Sequence, residues 1–163
     1  MREIPHLGVI VASICVALLL MIVPLSNTLI WYRPVFPLMI IAYWAMFAPD
    51  YVSLGTAWFI GICCDVLMGT ILGEHALALA IVIYVVLRAY MQLRMYSILQ
   101  QSLFIGLLTG IYQVVLFCTE GFLGNLPNNL AFWSPIFTTV FCWPLLVLIV
   151  GNFQRRTSTT KAT

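Results

Sequence analysis

Long runs of apolar residues, separated by short polar segments, fill most of the chain. A helix that crosses a hydrocarbon core of about 30 Å needs roughly 20 residues. The runs lack the period-two alternation of apolar and polar positions that marks the strands of a membrane barrel. The pattern therefore predicts an all-α integral membrane protein with about six transmembrane helices in one bundle. The predicted spans are residues 7–24, 35–48, 53–72, 76–90, 98–118 and 133–151.

The second predicted span, residues 35–48, is the shortest of the set. Trp31 and Tyr32 precede it, and aromatic residues of this kind concentrate at the membrane interface. With their help the segment is long enough to cross the bilayer. A re-entrant helix, which enters and leaves on the same side, also fits the pattern, and the sequence leaves both alternatives open.

The segments between the spans have the composition of loops. Examples are APDY at 48–51, GEH at 73–75 and NLPNN at 125–129, where proline and asparagine favour turns. After the sixth span the chain becomes polar. We therefore predict a single transmembrane domain over residues 1–153, followed by a short polar cytoplasmic tail at 154–163.

The composition supports the membrane assignment. Of the 163 residues, 63% are hydrophobic and only 7% are charged, and the mean hydropathy is +1.08. A soluble domain carries about 25% charged residues, and a chain of this size cannot bury so much apolar surface within itself. We expect membrane lipids, and not nucleic acid, around this protein.

The basic residues predict the orientation in the membrane. With the N-terminus in the cytoplasm, six of the seven basic residues fall on the cytoplasmic side, and Arg33 alone falls outside. Basic residues are enriched in cytoplasmic loops, so both termini are predicted to be cytoplasmic. The six are Arg2, Arg88, Arg94, Arg155, Arg156 and Lys161.

Asp65 is an ionisable residue near the middle of the third predicted span. Such residues are costly in lipid and usually face the interior of a bundle. Gly61, Asp65 and Gly69 follow i, i+4, i+8 spacing, which places them on one helix face that another helix can approach closely. A proton or cation site is one interpretation. A buried polar clasp that fixes helix packing is the one we favour, because no lysine or arginine is expected within the membrane as an ion-pair partner.

Other unusual residues have structural explanations beside functional ones. Arg33 is expected to reach the interface, with recognition of a partner or a lipid headgroup as the alternative. Pro34 helps to fix the entry into the second span, and Pro144 is expected to kink the sixth by removing a helical hydrogen bond. Residues 88–102 mix basic, amide and aromatic side chains, which suit lipid headgroups or a cytoplasmic partner.

Candidate chemistry is sparse in this sequence. Its five cysteines lie in apolar runs without CxxC spacing, so we expect packing roles and neither disulfides nor a metal site. Glu74 and His75 are adjacent and should point in different directions on a helix. We find no catalytic triad, no carboxylate pair and no phosphate-binding loop. The sequence therefore predicts no catalytic residues, no cofactor and no enzymatic activity.

Several motifs together resemble one family. RPVFPLMIIAYW occupies 33–44, a glycine series with one aspartate follows, and a Trp143–Pro144 pair lies in the last span. In order and spacing they resemble the rod shape-determining protein MreD family of Gram-negative bacteria. The series consists of Gly55, Gly61, Asp65, Gly69 and Gly73.

The resemblance implies a role that composition does not show. MreD-like proteins are multi-pass scaffolds of the cell-elongation machinery in the inner membrane. They bind MreC, a single-span periplasmic protein, and act with MreB, with the glycosyltransferase RodA and with a class B penicillin-binding transpeptidase. Their fold is similar to that of the substrate-binding subunits of energy-coupling-factor vitamin transporters. A membrane module that binds a small molecule or a lipid is therefore the alternative function.

Overall fold

Six α-helices and two short 3-10 segments make up the described part of the chain. The computed structural model describes residues 7–24, 32–124 and 130–159, with side chains only over 131–152 in the last range. The all-helical class predicted from the apolar runs is confirmed. The helices are α1 (Leu7–Ile22), α2 (Phe36–Phe47), α3 (Leu54–Met68), α4 (Glu74–Met95), α5 (Ile98–Phe122) and α6 (Ser134–Thr159), and the 3-10 segments are Pro49–Tyr51 and Leu130–Trp133.

Neighbouring helices α1 and α2, α3 and α4, α4 and α5, and α5 and α6 run antiparallel. The indole N–H of Trp44 in α2 donates to the hydroxyl of Ser13 in α1 at 2.8 Å. Arg33, which precedes α2, binds carbonyls at the end of α1. The amide of Gln101 in α5 donates to the carbonyl of Leu93 in α4 at 2.9 Å. The bundle therefore has an "α3–α4 end", which holds turn residues 69–73, and an opposite "α4–α5 end", which holds residues 96 and 97.

Helix α2 forms the centre of the bundle. Ten of its twelve residues are buried, and it packs against α1, α4 and α6. The backbone N–H of Val35 donates to the hydroxyl of Thr139 in α6 at 3.3 Å. At the other end of α2, the guanidinium of Arg94 in α4 donates to the carbonyl of Phe47. Both ends of α2 are therefore held by neighbouring helices.

Capping residues define two of the helix starts. Ser53 precedes α3, and its hydroxyl accepts from the backbone N–H of Thr56. In turn, the backbone N–H of Ser53 donates to the hydroxyl of Thr56. Ser97 precedes α5 and forms the same reciprocal pair with Gln100. Each pair satisfies N–H groups that have no partner inside the helix. These caps explain why α3 and α5 begin where the sequence pattern predicted.

Helix length separates the bundle into two groups. Among the described residues, three helical segments are long and apolar enough to cross a membrane: Glu74–Met95, Ile98–Phe122 and Ala131–Asn152. Helices α1, α2 and α3 have 16, 12 and 15 residues. At 1.5 Å per residue they measure about 24, 18 and 22 Å, short of the roughly 30 Å hydrocarbon core. The six predicted spans thus match six helices, but three helices are shorter than predicted.

Several predictions concern residues outside the described part of the chain. Arg2, Trp31 and Lys161 lie outside it, as do the side chains of Arg155 and Arg156. The basic residues whose side chains are described are Arg33, Arg88 and Arg94. The backbone of α6 continues to Thr159, so helix extends into the segment 154–163 that was predicted as a polar tail.

Candidate functional site

Asp65 lies in the last turn of α3 and is fully buried, at 0% exposure. The prediction that it sits in the middle of a long span was wrong. The physical reason is Gly69, which adopts a left-handed conformation with φ of 67° and ends the helix. The N–H of Gly69 donates to the carbonyl of Asp65, a common way for a helix to terminate.

The carboxylate of Asp65 accepts four hydrogen bonds. Its Oδ1 accepts from the backbone N–H of His75 at 2.8 Å, from ring Nδ1 of His75 at 2.9 Å and from the hydroxyl of Thr70 at 3.2 Å. Its Oδ2 accepts from the backbone N–H of Gly73 at 2.8 Å. An ionised carboxylate offers only acceptor sites, about four in number. Two backbone N–H groups and the Thr70 hydroxyl supply three of the four donors, and the His75 ring supplies the fourth in the tautomer that carries its proton on Nδ1.

The turn between α3 and α4 brings these donors together. Gly69 and Gly73 both have positive φ, 67° and 106°, a conformation that glycine adopts without steric cost. The backbone N–H of Thr70 donates to the carbonyl of Asp65 at 3.1 Å. The chain then reverses, so that the first turn of α4 faces the Asp65 side chain. Helix N-termini stabilise anions through their free N–H groups and their dipole.

Gly61 allows α3 and α4 to approach closely. A Cβ atom at this position would lie 2.2 Å from the Cα of Ala76 and 2.9 Å from the carbonyl carbon of His75. The structure thus places a neighbouring helix against Gly61 and Asp65, at the face where sequence analysis expected one. Gly69 does not belong to that face, because the helix has ended there.

His75 is the main residue that sequence analysis missed. Its adjacency to Glu74 was taken as evidence against a site, but the two side chains serve different neighbours. His75 contacts Asp65, whereas the carboxylate of Glu74 accepts from the hydroxyl of Thr119 in α5 at 2.8 Å. The signal that could have found His75 is the pair Gly69 and Gly73, which predicts a tight reversal between them.

The resulting polar cluster, which we call the Asp65 cluster, joins residues of α3, α4 and α5. It consists of Asp65, Thr70, Glu74, His75 and Thr119, and the ring of Tyr112 packs edge-on to His75 with 6.0 Å between centroids. Asp65, Glu74, His75 and Tyr112 are all buried. Among the described residues, no group of three or more His, Cys, Asp or Glu side chains could hold a metal ion. The hydrogen bonds of the cluster connect α3 to α4 and α4 to α5.

Arg33 and Pro34 hold the start of α2 against the end of α1. The guanidinium of Arg33 donates to the carbonyls of Met21 and Val23, which an α-helix leaves without partners at its C-terminus. The carbonyl of Pro34 accepts from the N–H of Phe36 at 2.9 Å. Arg33 was expected to extend to the interface. It is half-buried and bound to the carbonyls of α1, and its place at the interface stays a prediction.

Pro144 lies inside α6, which continues through it. The adjacent Trp143 is fully buried, and its indole Nε1 has no hydrogen-bond partner among the described residues. On the α5 side of α6, a Cβ atom on Gly106 would lie 2.4 Å from Val140 Cγ2. Pro144 is thus placed within the helix that packs against α5 and α2.

An apolar groove of about 450 Å³ lies between α1, α2 and α6. Ala12 and Val16 of α1, Met39 of α2 and Leu146 of α6 are among its lining residues. Ser13 also lines it, but its hydroxyl already donates to the carbonyl of Ile10 and accepts from Trp44. The groove therefore suits an apolar occupant and lies apart from the Asp65 cluster.

A helical bundle with three long apolar helices and a polar cluster buried between helices defines a polytopic membrane protein. Comparisons with known proteins give the family. The family model of the rod shape-determining protein MreD matches residues 2–153. The rod shape-determining protein MreD of Haemophilus influenzae is 28% identical over 127 residues, which cover 76% of this chain and 76% of that protein.

The chain belongs to the MreD family of rod shape-determining proteins. The resemblance inferred from its motifs is thereby confirmed. No solved structure matches the chain significantly. The similarity in fold to the substrate-binding subunits of vitamin transporters therefore stays a prediction.

Proposed function

We propose that this protein is a non-catalytic scaffold of the cell-elongation machinery, located in the inner membrane. The observation that carries the proposal is the family match over residues 2–153. The helical architecture supports it, because nearly all described residues belong to helices that pack on one another. A chain of this kind acts by presenting helix surfaces to other membrane proteins.

The proposed direct partner is MreC, with MreB, RodA and a class B penicillin-binding transpeptidase in the wider assembly. A single-span partner meets this protein at helix faces within the membrane. Large apolar side chains are exposed there, for example Leu19 in α1 at 63% and Phe141 in α6 at 77%. Such surfaces fit contact with lipid or with another apolar helix.

We propose that the candidate residues act through the fold and do not contact the partner. Asp65 and Gly61 are buried between α3 and α4, and Gly69 ends α3. Arg33 and Pro34 fix the connection between α1 and α2, and Pro144 lies inside α6. Variants of these residues should therefore change folding first and partner binding only as a consequence.

The proposed orientation places both termini in the cytoplasm. Support comes from the basic residues whose side chains are described: Arg88 and Arg94 lie toward the α4–α5 end, against Arg33 near the α3–α4 end. Basic residues favour the cytoplasmic side. The α4–α5 end would then face the cytoplasm and the α3–α4 end the periplasm.

Affinity purification tests the scaffold proposal. The tagged full-length protein is extracted in mild detergent from cells that also contain MreC, and co-purifying proteins are identified and quantified. A tagged polytopic protein of unrelated function is the control. We expect MreC at a fixed ratio with the tagged protein and not with the control. Equal recovery of MreC with both proteins would reject direct binding.

The apolar groove favours a second candidate function, the binding of an apolar small molecule or a lipid chain. Its volume of about 450 Å³ falls within the range of roughly 300–1,000 Å³ found for small-ligand sites. Ala12→Phe would fill the groove from α1. Val11→Phe is a matched control, because Val11 is exposed at 51% and is not among the groove-lining residues.

Native mass spectrometry of gently extracted protein separates the two functions. A ligand that stays with the wild type and with Val11→Phe, but leaves Ala12→Phe, would establish the groove as a binding site. If no molecule stays bound to the protein while MreC still co-purifies, only the scaffold function is supported.

A further inference from the structure

Helix α3 forms an outward surface that is too short for an ordinary bilayer. Trp58, Phe59 and Val66 are 52%, 64% and 64% exposed on it. In a membrane protein, such side chains contact lipid or the helix of a partner. The helix has 15 residues and so measures about 22 Å, against a hydrocarbon thickness of roughly 30 Å.

Both ends of this surface are marked by groups that cannot lie in hydrocarbon. At the α3–α4 end the chain leaves the helix at residues 69–73, where Ile71 and Leu72 are exposed. Irregular backbone exposed to lipid does not occur within the hydrocarbon region. At the other end, exposed Ser53 and exposed Asp50 precede the first turn of α3. The lipid-facing strip is therefore confined to the length of the helix.

Helix α4 as a whole has 22 residues, enough to cross an ordinary bilayer, but an exposed charge interrupts its apolar face at a depth similar to the end of α3. It begins at Glu74, directly after the turn, and reaches the exposed Arg88 after 14 residues, a rise of about 21 Å. The guanidinium of Arg88 lies 5.4 Å from the ring centroid of Tyr84, one turn earlier in the helix. The guanidinium of Arg88 thus points toward the N-terminus of α4, and not toward a headgroup layer beyond Arg88.

The opposite face of the bundle differs. Helix α5 carries exposed Leu103 and Leu107 at 68% and 61%. The interval between the exposed Gln100 and the half-buried Glu120 covers 20 residues, a rise of about 30 Å. This face matches an ordinary bilayer, so the short hydrophobic thickness is a property of the α3–α4 face.

We propose that the α3–α4 face is a lipid-contact surface that thins the adjacent bilayer by about 8 Å and selects phospholipids with short acyl chains. Tilting the helices would shorten their span along the membrane normal and increase the mismatch. The Asp65 cluster prevents the other adjustment, which is the growth of α3 by one turn. Its bonds to Gly73 and His75 hold the reversal in place.

Quenching of tryptophan fluorescence by brominated lipid tests the proposal. The full-length protein is reconstituted in vesicles that mix dimyristoleoyl phosphatidylcholine with brominated dioleoyl phosphatidylcholine. The Trp58 signal is the difference between the wild type and Trp58→Phe. The matched control carries Leu107→Trp in the Trp58→Phe background, which reports from the α5 face. The degree of quenching is measured as the fraction of brominated lipid is varied. This dependence gives the relative affinity of each face for the two chain lengths.

We expect the short-chain lipid to be preferred at Trp58 by at least about twofold, with no preference at position 107. Arg88→Leu lengthens the apolar strip of α4 and should reduce the preference at Trp58, whereas Arg88→Lys should keep it. Equal affinities for both lipids at Trp58 would overturn the proposal. So would an absence of quenching at Trp58 in vesicles of brominated dioleoyl phosphatidylcholine alone, because the face would then be covered by protein.

Discussion

Asp65 and His75 are ten positions apart and share two hydrogen bonds. The backbone N–H and the ring Nδ1 of His75 both contact Oδ1 of Asp65, at 2.8 and 2.9 Å. The Asp65 carboxylate thus orients the His75 side chain and also binds the first turn of α4, the helix that carries His75. The contact explains why an ionisable residue is tolerated in so apolar a segment.

Substitutions at Asp65 should destabilise the fold in a defined order. Asp65→Asn keeps one acceptor oxygen but turns an N–H₂ group toward a donor, so we expect a loss of about 1–3 kcal/mol. Asp65→Leu removes every acceptor and leaves buried donors without partners, and should cost more. Unfolding in detergent, followed by circular dichroism during titration with sodium dodecyl sulfate, measures both. Equal stability of the two variants would contradict the four-donor geometry.

A double-mutant cycle should reveal coupling between Asp65 and His75. Asp65→Asn and His75→Phe, singly and together, should show a coupling energy of about 0.5–3 kcal/mol, as residues in one network do. Glu74→Gln is the matched control, because Glu74 bonds Thr119 and not Asp65. The Asp65/Glu74 cycle should be close to additive. Additivity in both cycles would mean that the contact contributes nothing to stability.

Gly61→Ala should destabilise the α3–α4 hairpin. The added methyl group would lie 2.2 Å from the Cα of Ala76, which is backbone and cannot move aside easily. We expect a cost of about 1–3 kcal/mol, typical of overpacking. Gly55→Ala is the control in the same helix, since a Cβ atom there would lie 3.7 Å from the Ser53 hydroxyl, an ordinary van der Waals contact. A neutral Gly61→Ala would show that the two helices separate readily.

Loss of the Arg33 guanidinium should loosen the end of α1. Arg33→Met removes the donors to Met21 and Val23, and we expect a loss of about 1 kcal/mol with faster hydrogen exchange over residues 18–24. Arg33→Lys should restore part of the protection, because lysine lacks the planar fork. Arg88→Met is the control, since Arg88 does not contact α1. Unchanged exchange over residues 18–24 in Arg33→Met would contradict the assigned contact.

The helical class and the helix positions could be predicted because apolar runs and loop residues determine them directly. The predicted span 98–118 and the observed α5, Ile98–Phe122, begin at the same residue. Helix ends were harder. The span 53–72 was drawn through Gly69 because its neighbours are apolar, and a left-handed conformation at Gly69 cannot be recognised from hydropathy.

The contacts of Asp65 could be predicted only in part. Burial against a neighbouring helix follows from its cost in lipid and from Gly61, one turn away. The identity of the partner does not follow, because His75 comes into reach only when the chain reverses between Gly69 and Gly73. Arg33 shows the same limit: its binding to the end of α1 depends on how the 23–35 connection folds.

The measurement that tests the account most directly compares cell shape with the amount of folded protein. Variants at Asp65, Thr70 and His75 are expressed in cells that depend on this chain as their MreD-family protein. If the Asp65 cluster acts through the fold, rod shape should fall in proportion to folded protein, and raised expression of Asp65→Asn should restore it. An Asp65→Asn protein that is folded at wild-type levels, binds MreC and still leaves cells round would contradict the account and indicate ion chemistry at Asp65.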